Sequence, residues 1–193
     1  MDKYIAAVPL EKAYRLINHG PTTLVSAHHN GVDNVMAASW VCALDYAPAK
    51  LTVVLDKIAK TRELIEKSGC FVIQVPTVAQ LVMTHYVGTH SLANEPDKLT
   101  QAGVELFAIE GCEQRFVKGC SAWLACKLIP EPHNQEKHDL FIGEIVGAWA
   151  DTRVFKDGHW HFEDSPDQWR SLHYMAGGHF YTIGDPLTVE DAE

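Results

Sequence analysis

Residues 34–62 hold the chemistry-bearing side chains at the most telling spacing. The stretch "NVMAASWVCALDYAPAK" (34–50) opens with Asn34, carries Ala37, Ala38 and Ser39 at its centre, and has only Asp45 and Lys50 as charges. Small side chains leave main-chain N–H and C=O groups open to a ligand, and Asn34 and Ser39 add side-chain donors and acceptors. Just downstream, "LDKIAKTREL" (55–64) gathers Lys57, Lys60, Thr61 and Arg62 where a helix begins. Thr61 is the expected N-cap, and the unsatisfied first-turn N–H groups with nearby lysines make a site for one phosphate. Taken alone, such a turn is more often an ordinary capped surface helix, and Asp56 and Glu63 dilute its positive field. Next to a small-residue strand it points to a nucleotide whose flat, acceptor-rich ring lies on the peptide backbone. The flavin ring has that edge.

Other chemistries find less support. Eleven histidines invite a metal, and His159 and His161 form an H-x-H pair. Two ligands do not complete a site, and no third stands at suggestive spacing, so no metal is expected. His28 and His29 sit at an expected hairpin end, and His85 and His90 lack the i, i+4 spacing of a zinc helix. The five cysteines contain no C-x-x-C and are read mainly as small core residues, with Cys42 bordering the opening motif. There is no G-x-S-x-G elbow, G-x-G-x-x-G or phosphate loop. Trp40 and Trp123 are types more often found in cores than stacked on ligands.

Strands must position these residues. Period-two alternation marks "CFVIQVP" (70–76), with Phe71, Ile73 and Val75 on one face, and "CSAWLACKLI" (120–129). "TTLVSAHH" (22–29) and "KLTVVLD" (50–56) add β-branched strands, with Asn-Gly at the tip of the "HNGVDN" turn. "HDLFIGEIVGAWA" (138–150) is a long strand in which Gly143 and Gly147 predict a bend, a bulge or a close backbone approach. "GHWHFE" (158–163) reads as a hairpin arm. Short helices are expected over 61–69, stopped by Gly69, over 77–88, and over 97–103. Many strands with few helices give a mainly β fold, a barrel with helical excursions.

The 193 residues fit one domain, and 47% hydrophobic content is ample for its core. A net charge of −9 argues against nucleic acid and anionic lipid as partners. The charged start and the lack of a long apolar run predict a cytoplasmic protein with no membrane span. The acidic end, "TVEDAE" (188–193), is expected to fray.

The segments "GVDNVMAASWV", "LDKIAKTRELIEKSGCFVIQVP", "DKLTQAG", "HDLFIGEIVGAWAD" and "AGGHFYTIG", in this order, resemble the flavin reductase-like, flavoredoxin-type family of FMN-binding split barrels. The likeness covers about residues 9–184. It implies an antiparallel split β-barrel, a homodimer, and FMN near the subunit interface. It places Asn34, Val35, Met36, Ala37, Ala38, Ser39 and Trp40 along the ring and ribityl chain. Asp56, Lys57, Lys60 and Thr61 fall in its phosphate turn, and His138 near the flavin. The region of His173 and Tyr174 would close the pocket, from this or the partner subunit. The chain departs from relatives at Asp56, Ile58 and Ala59, where hydroxyl residues or Arg are common, which leaves the phosphate to Lys57, Lys60 and Thr61.

The implied function is an oxidoreductase in which NADH or NADPH delivers a hydride to bound FMN and electrons pass to a small-molecule or protein acceptor. The alternative is a flavoredoxin-like carrier that holds FMN and never meets a nicotinamide. A third reading is a flavin-free barrel with an interface role only.

Overall fold

The computed structural model describes residues 3–189. After β1 (Ile5–Ala7) and a 3-10 segment at Leu10–Leu16, strands β2 (Thr23–His29), β3 (Val32–Ala38), β4 (Val41–Tyr46) and β5 (Ala49–Val54) lead to helix α1 (Lys60–Ser68). Strand β6 (Cys70–Val75) follows, then helices α2 (Leu81–Thr89) and α3 (Lys98–Gln101) and the short pair β7 (Leu106–Phe107) and β8 (Phe116–Val117). Strand β9 (Ala122–Ile129), helix α4 (Pro132–His138) and the long β10 (Leu140–Asp151) come next. Two hairpins end the fold: β11 (Phe155–Lys156) with β12 (His159–Trp160), and β13 (Leu172–Ala176) with β14 (His179–Thr182).

Eight strands form one antiparallel sheet in the order β3-β2-β6-β9-β10-β5-β4, with β1 on the far end of β10. Its two edges, β3 and β4, are consecutive in sequence and joined by Ser39 and Trp40 alone. Three Cα steps reach at most about 11 Å, so the sheet must curl until its edges nearly meet. They do not pair, and the result is a split barrel with its seam at residues 39–40. The expected fold class is therefore the observed one.

The sequence explains the curl. Gly143 lies where a Cβ would come within 2.6 Å of the Phe71 ring, and Gly147 follows a bulge in the β9–β10 register. Both glycines thus serve the close approach and the bend that their place in a long strand predicts. Asn30 and Gly31, at φ 47 and 78, make the two-residue β2–β3 turn. The barrel interior is filled by Val25, Leu51, Val53, Phe71, Leu124 and Phe141 among others. A second core lies outside the sheet under α2, α3 and β7–β8, around Trp123, whose indole N–H donates to Val117 O at 2.9 Å.

The expected helices at 61–69, 77–88 and 97–103 are present. Gly69 ends α1 in the left-handed conformation, and a reciprocal Thr77–Gln80 capping box opens the turn before α2. One feature differs from expectation: residues 132–138 form a helix, so the strand expected from 138 starts at Leu140. The acidic end expected to fray lies largely at residues 190–193, outside the described residues.

Candidate functional site

Strand β3 is an edge strand, so half of its main-chain N–H and C=O groups have no strand partner. Alternation divides the side chains expected along a ring. Met36 and Ala38 pack toward the barrel interior, whereas Val35 and Ala37 belong to the outer core under α2. Val35 is fully buried, and only its backbone is left for a ligand. Ser39 and Trp40 stand exposed at the seam, Trp40 at 74%. The core placement commoner for tryptophan holds for Trp123 and fails for Trp40.

The start of α1 corrects one expectation. Its N-cap is Ala59, with no side-chain cap, and Thr61 lies inside the first turn. The Thr61 hydroxyl is buried and accepts a hydrogen bond from Asn34 Nδ2 at 2.9 Å. Asn34 Oδ1 is buried with no partner among the described residues. A buried amide oxygen left unpaired costs about 1–3 kcal/mol, so this atom is poised for a donor. Lys57 is exposed. Lys60 Nζ pairs with Glu63 Oε2 at 2.6 Å, and the bonds from Lys60 and Lys67 pull the Glu63 carboxyl down to about 2. Asp56 Oδ1 accepts the Ile58 N–H at 3.0 Å and so shapes the turn.

Arg62 points inward, away from an anion site. It donates to Leu55 O, Gln135 O, Glu66 and Asp139, with Phe141 beneath its guanidinium. Burial opposes its charge, and the bonds to the two carboxylates outweigh that and raise its pKa. The 2.5 Å bond to Asp139 ties the end of α4 to α1. His138 therefore sits exposed on the α1 side of the barrel, its ring edge-on to His133 at 5.9 Å.

Beyond Ala37, helix α2 rides directly on β3. A Cβ at Gly88 would meet Ala37 Cβ at 3.0 Å. Between them and the β13–β14 hairpin lies a cleft of about 130 Å³. Ala37, Ser39 and Thr22 line one side, Thr84, His85 and Gly88 the other, and Tyr174 and Phe180 the hairpin side. The Tyr174 N–H donates to Thr22 Oγ1 at 2.7 Å and docks the hairpin on its own chain. Thr84 Oγ1 is buried without a partner among the described residues. Sequence patterns did not single out Thr22, Thr84, His85 or Phe180 as site residues.

His173 is held elsewhere. Its Nδ1–H donates to Gly20 O at 3.1 Å, which leaves Nε2 to accept the Ser171 hydroxyl at 3.2 Å. Ser171 Oγ in turn takes the His19 Nε2–H at 3.1 Å, and His19 Nδ1 is buried with no partner among the described residues. Burial, then the neighbouring His173, pushes the His19 pKa down to about 4. Lys98 is a buried cation that sequence reading treated only as part of a helix, and desolvation lowers its pKa to about 8. Among the described residues, one group with metal-ligand types does come together: the half-buried His161 with the exposed Glu163 and Asp164. The carboxylates lie next in sequence to the H-x-H pair rather than at a spacing that announces them.

A curled antiparallel sheet with an open seam, and main-chain groups free along the strand bordering it, is the flavin reductase type of split barrel. The chain belongs to the flavin reductase like domain family, whose sequence pattern matches residues 15–181. It superposes with a TM-score of 0.96, at 66% identity, on the crystal structure of an FMN-binding domain of a flavin reductases-like enzyme from Shewanella baltica OS155, covering 98% of this chain and 100% of that one. Flavoredoxin of Desulfovibrio vulgaris (Miyazaki F) gives 0.76 at 25% identity over 90% of this chain and 91% of its own. The Escherichia coli K12 protein YddH, itself uncharacterized, is 37% identical over 98% of this chain and 100% of its length.

Proposed function

We propose that this chain binds FMN along the seam and acts as an oxidoreductase that takes its electrons from NADH or NADPH. The single observation that carries the cofactor is the buried, unpartnered Asn34 Oδ1 beside an uncapped helix start on an edge strand. The residues present fit the group. Free main-chain groups over 36–40 match a heterocycle edge. Asn34 offers an acceptor to a ribityl hydroxyl. The first-turn N–H groups of Lys60 and Thr61, with Lys57, favour a phosphate. When bound, FMN supplies the hydride-accepting ring that no side chain provides.

The 66% identity to an FMN-binding domain supports the same reading. The likeness to a flavoredoxin favours a second one, in which the chain carries electrons between proteins without a nicotinamide. Anaerobic addition of NADH, then NADPH, to the FMN-loaded protein separates them. Loss of the flavin absorbance at a useful rate supports the reductase, whereas reduction only by a protein donor supports the carrier.

A homodimer accords with two observations. Leu44 and Tyr46 on β4 and Val146 on β10 stand exposed at 52%, 65% and 54%, and the bare Trp40 immediately precedes β4. The cleft at the seam is also smaller than the roughly 300 Å³ at which small-molecule pockets begin, so a second subunit would complete the enclosure. Light scattering of the purified protein tests it. The acceptor is a small molecule or a protein, and the charge of −9 disfavours nucleic acid. Five free thiols suit the reducing cytoplasm, and no helix among the described residues is long and apolar enough to cross a membrane.

A further inference from the structure

We propose that His19, Ser171 and His173 form an acid-released latch: uptake of one proton frees the β13–β14 hairpin from the barrel while the barrel itself stays folded. The hairpin is a separate two-stranded sheet, and most of its residues are exposed. Four hydrogen bonds to one short segment, His19 to Thr22, hold its first strand. The Thr22 N–H donates to Leu172 O at 2.7 Å, and the Tyr174 N–H to Thr22 Oγ1 at 2.7 Å. His173 Nδ1–H donates to Gly20 O at 3.1 Å, and His19 Nε2–H to Ser171 Oγ at 3.1 Å. At its root, Arg170 O accepts the Val78 N–H at 3.0 Å and Ser171 bridges to Thr77, so a freed hairpin stays tethered.

The latch has no place for an extra proton. Ser171 is fully buried, and its hydroxyl accepts from His19 and gives its own proton to His173 Nε2 at 3.2 Å. Protonated His173 would turn a second donor on Ser171, whose hydroxyl proton then has no acceptor. Protonated His19 would carry its new proton on Nδ1, which is buried with no partner among the described residues. Trp160 meets the His19 ring edge-on at 5.2 Å, and Phe162 lies at 6.0 Å. His173, at 5.8 Å, is the titratable ring that faces it. The other charged groups on the surrounding elements turn elsewhere. Lys12 and Arg15 lie over Gly158, His159 bonds Asp157 O, and His161 pairs with Glu163 at 3.4 Å. Arg170 pairs with Asp167 and Asp185, Asp164 is exposed, and Tyr181, opposite His173 in the hairpin, is exposed too. An imidazolium at this place must therefore reach water. The half-exposed hairpin is the element that gives way, and with it move Tyr174 and Phe180, one wall of the cleft at the seam.

The test is amide hydrogen exchange of the full chain, read residue by residue by NMR at pH 7 and pH 5, with and without dilute urea. Protection of the Thr22 and Tyr174 amides should fall by roughly twentyfold, the ratio set by a His19 that titrates at about 4 when latched and at 6.5 when free. That opening should not respond to urea, since little surface is exposed, whereas amides of β6 and β9 should stay better protected and respond steeply. His19→Gln keeps a donor for Ser171 without titrating, and joined to His173→Gln it should leave less than about a threefold change over the same range. Three results overturn the proposal. The Thr22 and Tyr174 amides share the urea dependence of β6 and β9, which makes acid sensitivity a property of the whole fold; their protection does not change with pH; or the double variant keeps the twentyfold fall, which places the titrating group elsewhere. The first two are read on the unaltered chain, so they decide the matter even if the variant fails to fold.

Discussion

Asn34 on β3 donates its amide to Thr61 Oγ1 on α1 at 2.9 Å, and its own carbonyl oxygen is buried with no partner among the described residues. One hydrogen bond thus joins the edge strand to the start of the helix. Removing one member strands the other, so Thr61→Val should destabilise the FMN-free protein by about 1–3 kcal/mol. The double variant Asn34→Leu, Thr61→Val should cost less than the sum of the two single changes, because no buried polar group is left behind. Urea unfolding of all four proteins measures this, and strict additivity would show that the pair is not coupled.

This junction also shows what the sequence could and could not reveal. Residue types at 34–40 and 57–61 marked both halves of the candidate site, and their spacing placed them at a strand and a helix start. The cap was misread because Thr61 is drawn inward by Asn34, a contact between segments that local patterning does not carry. Helix α4 escaped notice because none of its residues is buried, so no apolar period marks it. It is held through its backbone, where Arg62 takes Gln135 O, and through Asp139 just beyond its end. The cleft was invisible for a similar reason: Thr22, Thr84 and Phe180 come from the entry to β2, from helix α2 and from the β13–β14 hairpin, and meet only through packing between elements distant in sequence. By contrast, Gly69 was legible because it answers a local backbone demand at the end of α1, and Gly143 and Gly147 because a glycine inside a long strand is itself a signal.

At Gly143 the demand is spatial. Gly143→Ala would place a methyl group 2.6 Å from Phe71 Cζ and 3.1 Å from Cys126 Cβ. Overpacking of this kind costs about 1–3 kcal/mol. Thermal melts should show the loss, and Phe71→Leu added to Gly143→Ala should restore part of it. No recovery would mean that the ring is not the obstacle.

Acid should weaken the fold through His19. Its folded pKa is lowered to about 4, mainly by burial, from 6.5. Between those values the unfolded chain binds the extra proton, so stability falls as the pH drops from 6.5 to 4 and is level in this respect above 6.5. His173, lowered by burial, acts in the same direction. The loss through His19 is on the order of 3 kcal/mol. His19→Gln keeps a donor for Ser171 without titrating, and its melting temperature should be flatter over that window. An unchanged slope would assign the acid sensitivity elsewhere.

Lys98 acts with the same sign at the alkaline end of the pH scale. Burial lowers its pKa to about 8 from 10.5, with Glu95 opposing, so the charged form is penalised below pH 8. The wild-type fold should gain stability as the pH climbs from 8 to 10.5, because the unfolded chain is then the state that still binds the proton. Lys98→Met should raise the stability of the FMN-free protein at pH 7, by on the order of 1–3 kcal/mol, and lack that alkaline gain. Chemical denaturation at pH 7 and at pH 10 checks both halves.

The seam and the uncapped start of α1 are claimed to hold one ligand with a flat ring at one end and a phosphate at the other. Titration of the purified chain with FMN and with riboflavin, followed by flavin fluorescence, tests this most directly. The account predicts saturable quenching at one FMN per chain, with riboflavin bound at least about tenfold more weakly for want of the phosphate. Equal affinity for the two, or no quenching by either, would contradict it.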